Sequence, residues 1–379
     1  MRFDGSLFWH PGVPTPWDKQ VEENREYAKL MEQVGFTTAW SCEHHLWHDS
    51  YFACTPNSIL TSLDIASHTK HIRVGQSPVS IPDRHPLMVA EDIAILNNMT
   101  KGRVDFGVAR GINARWGAQY HPAADRRNEV KNRALFQECL DIILKAWTEE
   151  VFTYKGEFYT FPVPGWKETD PVVKVEPPYY SPDGELIAIN VLPKPYQKPH
   201  PPVWVMVSSN SSWAFCGAKG FGAIGIARSL EGNREAFSAY KEAAKSQGRN
   251  LALGENVSCQ FMVYCAKTME EAVRDARGGL NWFFGSESGR QRGQRAAMLE
   301  KNAQLDNDDL NSDWSDFLIK HNIALVGTPD SISEHLQRLQ EEVNFQHLQL
   351  FPSIPFLTFK QAMSSLDLFG TQVVPRFQN

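Results

Sequence analysis

The stretch SCEHHLWHD sets a carboxylate, Glu43, beside two imidazoles, His44 and His45, with His48 three positions on. An imidazole titrates near neutral pH and ligates metals, and an adjacent carboxylate can fix its tautomer. The triplet can therefore act as a metal cage, as a general base beside a cofactor, or as a loop that only satisfies its own hydrogen bonds. A cage needs further ligands from other strand ends. The first strand offers only His10, and later strand ends show no His or Asp cluster. No metal is expected, and a base beside a cofactor is the reading that survives.

Two other stretches suit anions. In VWVMVSSNSSWAFCGAKGFG, residues 203–222, an apolar strand ends in Ser208, Ser209, Asn210, Ser211 and Ser212 and then opens a helix. Hydroxyls together with the unpaired N–H groups of a helix N-terminus bind phosphate; the alternative is a serine-rich cap with no ligand. In FGVARG, residues 106–111, Arg110 stands at a strand end with Gly107 and Gly111 beside it. Such an arginine can reach a phosphate or a planar ring, or it can sit in a surface salt bridge.

These residues need a frame that gathers strand ends. The first strand is expected over residues 3–9, a helix carrying Tyr27, Leu30, Met31 and Val34 follows, and the strand FTTAWS runs directly into the triplet. Helix over 59–66, strand over 71–77, helix over 86–98, strand through KGRVDFGVARG and a long helix over 126–148 continue the alternation. Residues 150–202, rich in Pro and Tyr, break it and read as an insertion. The rhythm returns with strand VWVMV, helix 213–219, strand FGAIGIA, helix 231–247, strand VSCQFMVYCA and helix 269–284. Residues 285–312 are polar and charged and read as a lid-like loop. Thr328 caps a helix with Pro329 at its first position, HLQLFPSI is the last strand, and 359–369 the last helix. Eight strands of buried type, alternating with helices, predict an α/β fold: a TIM (β/α)8 barrel with insertions, one domain over 1–379. An open doubly wound sheet would need a Gly-rich turn after the first strand, which GSLFWHPG does not supply.

Composition narrows the partners. With 42% hydrophobic and 22% charged residues the chain has material for a large core, and a net charge of −6 gives no reason to expect nucleic acid or an anionic membrane surface. No stretch approaches the ~20 apolar residues of a membrane span. Six cysteines without a CxxC pair fit a reduced, cytoplasmic enzyme.

GFTTAWSCEHH (35–45), VGQSPVSIPDRHPLMVAEDIAILNNMTKGRVDFGVARG (74–111), FTYKGEFYTFP with LPKPYQKPHPPVWV (152–162, 192–205) and VGTPDSI (326–332) together resemble the bacterial luciferase-like family of flavin-dependent monooxygenases. The resemblance runs through nearly the whole chain in order. It implies a barrel that binds reduced FMN, delivered by a separate flavin reductase, and reacts it with O2 as co-substrate. A C4a-peroxyflavin then inserts one oxygen atom into a small organic substrate. It makes His44 the catalytic base, with Glu43 and His45 in support. Arg110 and Ser209, Asn210, Ser211 and Ser212 match the flavin phosphate site, and Trp282 a tryptophan bordering the ring. Ser77 and Pro78 match a cis peptide beneath the isoalloxazine, so a cis Ser77–Pro78 bond is expected. Relatives form dimers through barrel helices, which implies a homodimer. Ala109 stands where luminous members have a reactive cysteine, which counts against light emission, and 163–188 is longer than the family pattern. A deazaflavin-dependent oxidoreductase and a flavin-binding protein without catalysis remain as alternative readings.

Overall fold

The computed structural model describes residues 1–11, 13–46, 54–285, 295–300 and 302–378. The chain divides into two compact units, Met1–Pro78 with Val203–Asn379, and Val79–Pro202.

The larger unit contains seven parallel strands in one hydrogen-bonded order: Val203–Val207, Gly222–Ile226, Val257–Cys265, His347–Phe351, Arg2–Ser6, Thr38–Ser41 and Arg73–Gln76. With Val104–Ala109 of the smaller unit as the eighth, they make the closed parallel barrel of the (β/α)8 fold. These are the eight strands expected from the sequence, although the first stops at Ser6 rather than Trp9. A further strand, Ala324–Gly327, was not expected. It pairs with Met262–Cys265, the part of the long strand Val257–Cys265 that runs on past its pairing with Gly222–Ile226.

The larger unit's share of the barrel interior is filled by indoles placed against glycines. Trp40 lies opposite Gly75 and Trp204 opposite Gly222 in the strand registers. A Cβ at either glycine would meet the facing indole at 2.4 Å. The two indoles meet edge-on, with centroids 6.3 Å apart, and Ile224 and Met206 complete the cluster. Below them Asp4 is fully buried and accepts from the Trp40 indole N–H at 2.8 Å and from Arg2 Nε at 3.0 Å, with His347 Nε2 at 2.5 Å. Burial raises the Asp4 carboxyl, but His347 and then Arg2 hold it below its ordinary value. A charge so far inside is tolerated because an indole N–H, a guanidinium and an imidazole are gathered on its carboxylate.

The smaller unit pairs Val79–Ser80 with Val104–Ala109 and packs helices Pro86–Met99 and Glu129–Thr148 together, with the Trp147 indole N–H donating to Ala90 O at 2.9 Å. The segment expected as an insertion carries a short hairpin, Tyr154–Lys155 with Thr160–Phe161. Glu138 clasps its turn by accepting the backbone N–H groups of Glu157, Phe158 and Tyr159. The helix over 129–148 starts three residues later than expected, with Asn128 as its cap, and a short helix, Ala114–Tyr120, precedes it.

Of the lid-like stretch, residues 286–294 and 301 lie outside the described residues. The rest folds into a turn over Ala296–Met298 and a helix, Asn307–Asn311. Arg295 anchors it, donating to Asp309 O and Ser312 O and lying over the rings of Trp314 and Phe317 at 4.8 and 5.0 Å. No helix among the described residues is long and apolar enough to cross a membrane.

Candidate active site

The triplet follows the strand Thr38–Ser41, at its C-terminal end, where barrel enzymes keep their chemistry. Its backbone is fixed by a parallel bridge between Glu43 and Thr55: His44 N–H donates to Thr55 O, and Thr55 N–H to Cys42 O, each at 3.0 Å. Alternation then sends neighbouring side chains to opposite sides. Glu43 and His45 turn inward and are buried, while His44 is half-buried on the other side.

Glu43 ties the triplet to the next helix, Ser58–His68. Its Oε2 accepts from the Ser58 N–H at 3.0 Å and the Ser58 hydroxyl at 2.9 Å, and its Oε1 lies 3.1 Å from His45 Nε2. Asn57 caps the same helix by accepting from Ile59 and Leu60. A carboxylate at a helix N-terminus is stabilised by the unpaired N–H groups and the helix dipole. Glu43 thus supports the site rather than facing it.

His44 stands between two thiols. Its Nδ1 is 3.1 Å from Cys54 Sγ and its Nε2 is 4.0 Å from Cys42 Sγ. The hydrogen bond from Cys54 pulls the Cys42 thiol well down from its ordinary value, helped by His44 and opposed by burial and by Glu43. Burial, and then Cys42, push Cys54 up. Neither cysteine stands out in the sequence, where the two lie twelve residues apart with no CxxC pair. His48, the third imidazole of the motif, lies outside the described residues.

Ser77 follows the next strand, and the Ser77–Pro78 peptide is cis, as expected. The Ser77 hydroxyl accepts from Gln349 Nε2 at 3.1 Å and donates to Met206 Sδ at 3.3 Å. Gln349 also donates to Ser6, and the Ser77 N–H donates to Ser41 O at 2.8 Å, so the residue before the cis bond is held from three strands.

The serine run opens the helix Asn210–Lys219, three residues earlier than expected. Ser209 and Ser212 form a reciprocal capping box. The backbone N–H groups of Asn210 and Ser211 find no acceptor among the described residues. Arg228 closes the turn, donating to Asn210 Oδ1 at 3.2 Å and to Ser208 O at 3.0 Å. It follows the end of the strand Gly222–Ile226, and the sequence reading passed over it although ARS there echoes the strand-end ARG at 109–111. Trp282 meets Phe356 edge-on at 5.9 Å, in the loop after the last barrel strand.

Arg110, in the smaller unit, donates to Glu129 at 2.7 Å, and Arg126 takes the other oxygen of the same carboxylate at 2.7 Å. Burial raises the Glu129 carboxyl, but the two guanidiniums outweigh it and lower it. Two cations share one anion there, which leaves positive charge over.

A parallel eight-stranded barrel with polar side chains collected at strand C-terminal ends is the architecture of a barrel enzyme. The chain matches the luciferase-like monooxygenase family over residues 1–344, and it belongs to that family, one of flavin-dependent oxidoreductases. It is 28% identical over 218 residues to the oxygenase component of a flavin-dependent trigonelline monooxygenase from Acinetobacter baylyi, a match covering 57% of this chain and 51% of that protein. Its fold is similar to the oxygenating constituent of 3,6-diketocamphane monooxygenase from Pseudomonas putida, a type II Baeyer-Villiger enzyme solved with FMN. That likeness has a TM-score of 0.77 at 20% identity and covers 100% of this chain and 99% of the other. An F420-dependent secondary alcohol dehydrogenase has the same fold, at TM-score 0.68 and 16% identity over 100% of both chains.

Proposed function

We propose that the protein is the oxygenase of a two-component system. It takes reduced FMN from a separate reductase, uses O2 as co-substrate and places one oxygen atom in a small organic substrate. The observation that carries this reading is the turn Ser208–Ser212 with Arg228. Two unpaired N–H groups, several hydroxyls and a cation gathered at one helix N-terminus are a donor set for the terminal phosphate of FMN. The trigonelline relative, named as an oxygenase component, supports both the oxygen chemistry and the separate reductase.

Reduced flavin, when bound, supplies the electrons that activate O2 without a metal. The chain's own residues do the rest. Ser77 and Pro78 form the seat for the ring, and Trp282 with Phe356 covers an edge of it from water. His44 holds a proton at a ring nitrogen and gives it up, or keeps it, at the reacting oxygen. Glu43 positions it through the helix it binds, and His45 steadies that carboxylate from its other oxygen. Arg110, with Arg126, serves as a second anion contact within its own unit.

The rival reading is hydride transfer with a deazaflavin, and the fold shared with the F420-dependent dehydrogenase favours it. A panel of aldehydes, ketones and heteroaromatics under 18O2 separates the two, with reduced FMN or reduced F420 as donor. The expected result is one 18O atom in a product formed only with reduced FMN. Product formed from reduced F420 in the absence of oxygen would overturn the proposal.

A further inference from the structure

Cys42 and Cys54 lie twelve residues apart, yet the bridge between Glu43 and Thr55 sets them side by side. Neighbouring parallel strands are ~5 Å apart, inside the Cα spacing a disulfide spans. The two sulfurs and an imidazole nitrogen of His44 all lie within 4.8 Å of one another. The pair is also chemically uneven. Cys42 is lowered by Cys54 and His44, as a nucleophilic thiol requires, and Cys54 is kept as the protonated partner. The other four thiols, Cys139, Cys216, Cys259 and Cys265, are buried, and burial pushes each of them up. Only one thiol of the six is therefore poised to react.

We propose that Cys42 and Cys54 are a peroxide-responsive dithiol that closes to a disulfide beside His44 and reversibly shuts the site. The Cys42 thiolate attacks one oxygen of hydrogen peroxide; an S–O bond forms, the O–O bond breaks and hydroxide leaves, taking a proton to become water. Cys54 then loses its proton and attacks the Cys42 sulfur; the S–S bond forms, the S–O bond breaks and a second water departs. Two thiols are oxidised by two electrons in all, and one peroxide is reduced to two waters. The effect on turnover rests on the oxygenase reading, since an oxygenase that loses its coupling releases hydrogen peroxide at this place. The bond itself does not depend on that reading. Closing it removes the Cys54 thiol from His44 Nδ1 and locks the segment that carries the imidazole to its bridge partner.

The test treats the full-length reduced protein with one to five equivalents of hydrogen peroxide and maps its peptides without reduction. The expected result is a Cys42–Cys54 cross-linked peptide as the first oxidised species, cleaved again by dithiothreitol. In Cys54→Ser the oxidation should stop at a Cys42 sulfenic acid that dimedone traps. Prior oxidation of another cysteine, or Cys42 passing to the sulfinic acid with no cross-link in the native chain, would overturn the proposal. In the activity arm, oxygenation by the cross-linked protein should fall at least tenfold and return with dithiothreitol. A cross-link that leaves the rate unchanged overturns the switch. A reduced protein without oxygenation from reduced FMN overturns the oxygenase reading instead and leaves the mapped bond standing.

Discussion

His44 is the residue on which the chemistry turns, and its surroundings say what removing it does. The imidazole touches two sulfurs and the backbone N–H donates to Thr55, but the helix and strand around it are held by Glu43, Asn57 and Ser58. His44→Ala should therefore leave the fold and the affinity for reduced FMN nearly unchanged while product formed per flavin oxidised falls about 10²-fold, the usual contribution of a positioned acid or base. Stopped-flow flavin oxidation with product quantified in parallel checks it; an unchanged coupling ratio removes His44 from the mechanism. The triplet was legible in the sequence because its members are consecutive and follow an apolar strand. Its partners were not. Cys54 reaches His44 through a bridge register that no local pattern encodes, and Arg228 reaches the serine turn from a neighbouring strand end. Arg228 stands just past a strand end as Arg110 does, and that shared placement is its one mark in the sequence.

At the scale of elements, two helix ends carry predictions. The turn before Asn210–Lys219 binds its own cap, so Ser209→Ala should cost about 1 kcal/mol of stability. Arg228→Met should instead weaken FMN by about tenfold or more and leave riboflavin binding as it was, because only FMN carries the phosphate. Fluorescence titration of both flavins decides it, and an equal loss for both would remove the phosphate from this turn. The helix Pro329–Val343 holds His335, both of whose ring nitrogens are buried without a hydrogen-bond partner among the described residues. Burial, then Arg338, push it down to about 4. It is neutral in the fold, whereas the unfolded chain takes up the proton at the ordinary imidazole value. Stability from this group is therefore complete above pH ~6.5 and is lost as pH falls toward 4, by up to about 3 kcal/mol. His335→Leu should flatten that loss in urea unfolding at pH 7.5 and 4.5; an identical acid dependence in both proteins refutes it. Helix bodies were readable from their apolar spacing, and the helix over 269–284 has the bounds that spacing gives. Starts were less so. The run SSNSS reads as loop by propensity, whereas Ser209 in fact caps the helix and Asn210 begins it. The strand Ala324–Gly327 was missed because four apolar residues give too short a pattern, and its partner is the part of Val257–Cys265 that runs on beyond the ring.

For the molecule as a whole, alternation of strand and helix was enough to give the barrel, because parallel strands buried on both faces must be apolar throughout. What the pattern did not show is how the interior of such a barrel is filled. Here the larger unit sets an indole over a glycine on the facing strand, twice, and the choice of glycine is a matter of volume. Gly75 has no unusual backbone conformation, but a Cβ there would lie 2.4 Å from Trp40, which is itself held by Trp204 and by its indole bond to Asp4. The ring has nowhere to go. Gly75→Ala should destabilise the protein by about 1–3 kcal/mol or more through overpacking. Gly278 makes the contrast: it lies within the helix Met269–Phe284, where a Cβ meets nothing within 4 Å. Gly278→Ala should stabilise by about 0.5–1 kcal/mol, by helix propensity and a less flexible unfolded chain. The two variants carry the same chemical change, so chemical unfolding of both compares space alone. Equal midpoints would mean that the indole yields at Gly75 and that the barrel interior is looser than its registers require.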